Sequence, residues 1–104
     1  MIEDRDSYRK ARRKTKVITL TDTDEQIEIV NLNAAGYRAM IEAQREHKGD
    51  NIMRTMTVVK WGVPAFSDLT VEEVLDTVYL EDAMTLQLAI MELSGTDEDS
   101  EKKS

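Results

Sequence analysis

Met53–Gly95, MRTMTVVKWGVPAFSDLTVEEVLDTVYLEDAMTLQLAIMELSG, is the stretch whose reading decides the fold. It reads as a helix, a break around the chain's single proline, a capped helix, a joint, and a last helix ended by glycine. Proline disfavours helical backbone at the residue before it, so a helix over about Asp50–Lys60 should stop within Trp61–Pro64. Ile52, Met56 and Val59, with Met53 beside them, share one face of that helix. The next start is written in full. Thr70 and Glu73 make a T-x-x-E capping box, and Leu69 and Val74 stand at the two positions of a hydrophobic staple. Val71, Val74, Leu75 and Val78 form its apolar stripe. After a joint near Tyr79–Leu80, the last helix, about Glu81–Ser94, opens with two acids at the positive end of its dipole. Gly95 is placed for a left-handed cap.

The apolar residues of that last helix cover more than one stripe when turned by about 100° per residue. Leu80, Met84, Leu88 and Met91 form one face, and Leu86, Ile90 and Leu93 an adjoining one. Such a helix is either central and buried on most sides, or set with one face in the core and one on another chain. A 79-residue body, Val17–Gly95, with a hairpin and three further helical segments can hardly cover both faces. Met84, Leu88 and Met91 are therefore the candidate interface residues, contacting a neighbouring subunit or a client, while Leu86, Ile90 and Leu93 face the core. Six methionines point the same way, because flexible thioethers suit surfaces that adapt to a partner.

Toward the N-terminus, Lys16–Leu20 and Gln26–Val30 alternate apolar and polar residues, the period of a half-buried strand. Thr21–Glu25 between them is turn-like. Val17 is out of phase with Ile18 and Leu20, which leaves the register open. Asn33 is an N-cap for a helix that fades near His47, with Tyr37, Met40, Ile41 and Gln44 on one face and Gly49 placed to end it. The expected fold is α+β and mainly α: a short hairpin packed on a compact bundle of about four helices, residues 16–95. A flexible basic arm, residues 1–15, precedes this body, and a disordered acidic tail, 96–104, follows it.

Charge is unevenly spread. Residues 1–16 hold seven basic and three acidic side chains, about +4, whereas Val17–Gly95 holds fourteen acids against five Lys/Arg, −9. Phosphate repulsion by that body argues against general nucleic-acid binding. The arm itself carries a basic cluster, Arg9, Lys10, Arg12, Arg13 and Lys14, with Tyr8 beside it. It reads as a solvated tail, a protein-facing arm or a nucleic-acid contact. Absence of cysteine excludes disulfides and thiolate-based zinc sites and fits a reducing cytoplasm. No apolar run is long enough for a membrane span or a signal peptide. His47 is the only histidine and has no second ligand at metal spacing. The pairs Glu72–Glu73 and Glu81–Asp82 fall in first helical turns, where structure accounts for them better than acid–base chemistry. Four scattered glycines make no phosphate loop. Neither an enzyme nor a bound cofactor or metal is expected.

The order of elements resembles that of one family. The run Val63, Pro64, Phe66, Ser67, Asp68, Leu69, Thr70, Val71, Glu72, Glu73, Val74 and Leu75 is followed, after a spacer, by Asp82, Leu86, Ala89, Ile90, Glu92, Leu93, Ser94 and Gly95. That pattern resembles the C-terminal half of tail assembly chaperones of long-tailed bacteriophages, and KVITL, QIEIV and LNAAGYRAMIEA resemble their front half more loosely. The basic arm and Trp61 depart from the pattern. The resemblance implies a non-enzymatic protein of the host bacterial cytoplasm that self-associates and coats the tape measure protein. It also implies absence from the finished virion. Two readings stand beside it: a small helical nucleic-acid-binding regulator working through Arg9–Lys16, and a structural head–tail joining protein that stays in the particle.

Overall fold

The structure, a computed structural model, describes residues 1–95; the expected acidic tail, 96–104, lies outside the described residues. The element order is α1 (Arg5–Arg12), β1 (Thr15–Thr19), β2 (Gln26–Val30), α2 (Ala34–Glu46), α3 (Asn51–Gly62), a 3-10 turn (Pro64–Phe66), α4 (Val71–Thr77) and α5 (Leu80–Leu93). This is the mainly helical α+β architecture of the sequence reading, with a hairpin on a bundle formed by α2–α5.

The hairpin is antiparallel, with Ile18 opposite Ile27 and Val17 opposite Glu28. That register answers the phase question at Val17: it is exposed on the outer face, while Ile18 and Ile27 pack inward and Ile29 is fully buried. The turn closes through Leu20, whose N–H donates to the Glu25 carbonyl at 2.8 Å. Asp22 sits in the left-handed region at φ 61°, a conformation that Asp tolerates better than most residues. Both strands lean on α5, and β2 also meets the 3-10 turn, which supplies the packing a lone hairpin lacks. A long-range link reinforces this side. The Leu32 N–H donates to Ser94 Oγ at 2.9 Å, and that hydroxyl donates to the Ile90 carbonyl at 2.7 Å.

The central helix is α3, which packs on α2, α4 and α5. Thr55 through Val59 are all buried, as is Gly62, so α3 is covered nearly all round. Thr57 is tolerated there because its hydroxyl donates to the Met53 carbonyl one turn back, at 2.7 Å. Gly62 permits the closest approach made at any of the four glycines. A Cβ on it would stand 2.7 Å from both Cγ1 and Cγ2 of Ile90, and still nearer Cδ1. Ile52, expected on the inner face, is exposed instead. The inner face of α2 also differs from the expected Tyr37–Met40–Ile41–Gln44 stripe. Gly36, Met40 and Ala43 are the buried positions, and Ile41 and Gln44 face outward. Small residues set that face: a Cβ on Gly36 would lie 3.3 Å from Cβ of Trp61, so α2 seats against α3 there.

Local capping follows the sequence closely. Asn33 accepts from the Gly36 N–H, and Asp50 accepts from the N–H groups of Ile52 and Met53. At α4 the capping box is complete: the Glu73 N–H donates to Thr70 Oγ1 at 3.1 Å and the Thr70 N–H donates to Glu73 Oε1 at 3.0 Å. Since α4 has only seven residues, these bonds are a large part of what starts it. Thr70→Ala is expected to lower the unfolding free energy by about 1 kcal/mol. A urea titration with an unchanged midpoint would show that α4 is held by packing alone.

Residues 1–15 differ from the flexible arm that was expected, because residues 5–12 form α1. Asp4 caps it by accepting from the Ser7 N–H at 2.8 Å, and Arg9, Lys10 and Arg12 lie in its last turn, where cations favour the dipole. Asn31 holds its exit. The Asn31 side chain donates to the Arg12 carbonyl at 3.1 Å and accepts from the Lys14 N–H at 2.9 Å, while the Asn31 N–H donates to the Lys14 carbonyl. No residue of α1 is buried.

Candidate protein-interaction surface

Helix α5 divides along its length. Ala83, Leu86 and Ile90 close the core, with Leu86 only 1% exposed. The opposite side carries Leu80, Met84 and Leu88 at intervals of four, exposed by 50%, 49% and 68%. With about 1.5 Å of rise per residue, these three form a continuous apolar row about 12 Å long. Tyr79, which precedes the helix, is 80% exposed. At helical spacing Glu81, Thr85 and Glu92 run beside it, so an apolar strip is edged by polar groups.

The sequence-predicted site residues are therefore only partly brought together. Met84 and Leu88 share the exposed row. Met91 is half-buried and packs against the edge of the core. Tyr79 was not among the candidates, because a residue outside a helix has no position on its wheel. α5 is one-sided, and the role of a helix covered on most sides belongs to α3. Other exposed apolar side chains, such as Ile41 on α2 and Ile52 on α3, sit on other helices, and such residues are ordinary on protein surfaces.

The second candidate group, Arg9, Lys10, Arg12, Arg13 and Lys14, is fully displayed on α1 and the segment after it. Arg5, Arg9 and Arg12 fall at i, i+4 and i+7, so their guanidinium groups share one face, with Tyr8 beside them. Hydrogen bonds from the Ser7 backbone N–H, and then from the Ser7 side chain, hold the Asp4 carboxyl below its ordinary value. This cap therefore persists through neutral pH and is lost on acidification, as pH falls through that lowered value.

Two polar groups of the sequence reading have local roles. His47 is the exposed C-cap of α2, and Glu73 is engaged in the capping box. Among the described residues no group of three or more His, Asp or Glu is placed to hold a metal ion. No described helix is long and apolar enough to cross a membrane. The one side-chain ion pair among the described residues is Arg38–Glu42 at 3.1 Å, within α2. Comparison with protein families, with curated proteins and with solved structures finds no match to this chain.

Proposed function

We propose that this protein is a tail assembly chaperone of a long-tailed bacteriophage, self-associating and holding the tape measure protein before the tail tube forms. The observation that carries this reading is the exposed row Leu80, Met84 and Leu88 on a helix whose other side completes the core. A long helical client with apolar stripes would otherwise aggregate, and a rigid apolar row on a charged carrier shields it. Helix surfaces pair naturally with helices, and methionine lets the contact adapt to successive segments of the client. A formal charge of −7 keeps the loaded carrier soluble by repulsion. The family resemblance of Val63–Gly95 supports the same reading, and no catalytic step is assigned.

The test is co-expression with a long helical tape-measure-type client. The expected result is a soluble complex that co-purifies, in place of a client that precipitates when made alone. Purified tails should lack the protein. A client that stays insoluble and unbound would end the chaperone reading, and recovery of the chain in finished particles would favour a structural joining protein.

A further inference from the structure

The two ends of the described chain carry opposite and unspent charge. From Trp61 to Gly95 there are seven acids and no Lys, Arg or His, whereas residues 1–16 have seven bases against three acids. None of those bases forms an ion pair with the acids of its own body among the described residues. Nor is α1 a loose tail: Asn31 fixes its exit from the hairpin, although it buries nothing. A helix of eight residues is too short to be robust in isolation, where even about 12–15 residues are marginal. It gains most by lying on something.

We propose that α1 is a docking arm for a second copy of this chain, laying Arg5, Arg9 and Arg12 along the outer face of the neighbour's α4. On α4 the inward side is Val74, with Val71 and Leu75 packing on the core, and Glu72 and Asp76 are exposed at i and i+4. Both rows repeat at about 5–6 Å, the distance between side chains one helical turn apart, so guanidinium and carboxylate groups match in step. Glu73 is already committed to the Thr70 cap and is not needed. Because each copy has one arm and one acidic face, the contact either closes a ring or pair or continues from copy to copy. An arm reading nucleic acid is less favoured, because the acid-only stretch Trp61–Gly95 repels phosphate. The proposal takes up the self-association named above and is independent of the client, which α5 holds on a different surface.

The test measures the mass of the full chain in solution. Wild type is expected to associate at low ionic strength and to dissociate near 1 M salt, where the Debye length is about 3 Å. Arg5/Arg9/Arg12→Glu should be monomeric at low ionic strength with its body folded, since α1 buries no residue. Glu72/Asp76→Lys should also be monomeric, and a chain carrying both sets should associate again. A wild type monomeric at low ionic strength would overturn the proposal, as would an arm variant of unchanged mass or a charge swap without recovery. An arm variant of unchanged mass that loses binding to a short duplex DNA would assign α1 to nucleic acid instead. The monomeric arm variant should still capture the client through α5. Loss of client capture with assembly intact would defeat the chaperone reading and leave this one standing.

Discussion

Ile90→Ala is expected to cost about 2–5 kcal/mol of folding free energy, a large share of the roughly 5–15 kcal/mol that holds a small domain together. Ile90 is fully buried and meets α3 at Gly62, while the carbonyl of Ile90 receives the Ser94 hydroxyl that also binds Leu32. Truncation therefore opens a cavity where α5 meets α3. The same contact makes Gly62→Ala costly for the opposite reason. The new methyl group would overlap Cγ1 and Cγ2 of Ile90, which move only by turning a χ1 that is restricted in a helix, so about 1–3 kcal/mol is expected. In the double variant the alanine methyl fills part of the space that Ile90 vacates, and the combined cost should fall below the sum. Urea titrations of the four proteins measure this coupling. Strictly additive losses would mean that α3 and α5 do not seat on each other at Gly62.

Some of this contact was legible in advance and some was not. Ile90 belongs to a clear apolar face, and the caps at Asn33, Thr70 and Gly95 depend on local hydrogen bonding that short sequence spacing encodes. Gly95 does adopt the left-handed conformation, at φ 72°. What size-weighted periodicity misses is helix contact made by small residues. On α2 it favoured Tyr37, Met40, Ile41 and Gln44, whereas the buried positions are Gly36, Met40 and Ala43, with Gly36 seated against Trp61 of α3. The centrality of α3 was hidden by Thr55 and Thr57, which read as polar although Thr57 satisfies its hydroxyl within the helix. α1 was missed for a related reason. It buries nothing, so it has no apolar stripe, and its order comes from the Asp4 cap and the distant Asn31.

The exposed row on α5 was legible by angle at Met84 and Leu88, and Met91 marks the limit of that method. Turning residues about a wheel gives direction but not the depth of the neighbouring surface. Met91 lies angularly near Leu80 and Met84, yet it comes to rest against the core. Truncating Met91 should therefore act mainly on stability and only weakly on partner capture.

Leu88→Asp is expected to leave a folded, soluble chain that no longer captures the client. Leu88 is 68% exposed, so the substitution removes little buried surface, and the helix-propensity cost of aspartate is only about 0.5 kcal/mol. Within an apolar contact the same carboxylate would be desolvated without a partner. Hot-spot residues cost about 2 kcal/mol or more, which is about thirtyfold in affinity. Leu86→Asp, two residues away, is the control. There the carboxylate would enter the core at a site 1% exposed, and the chain should fail to fold. Circular dichroism and client co-purification read the two outcomes separately, and the solution mass of Leu88→Asp should remain that of wild type at low ionic strength. If Leu88→Asp unfolds the chain, Leu88 belongs to the core and the division of α5 is wrong. If it folds and still holds the client at wild-type strength, the row on α5 is not the holding surface, and the chaperone reading loses the observation that carries it.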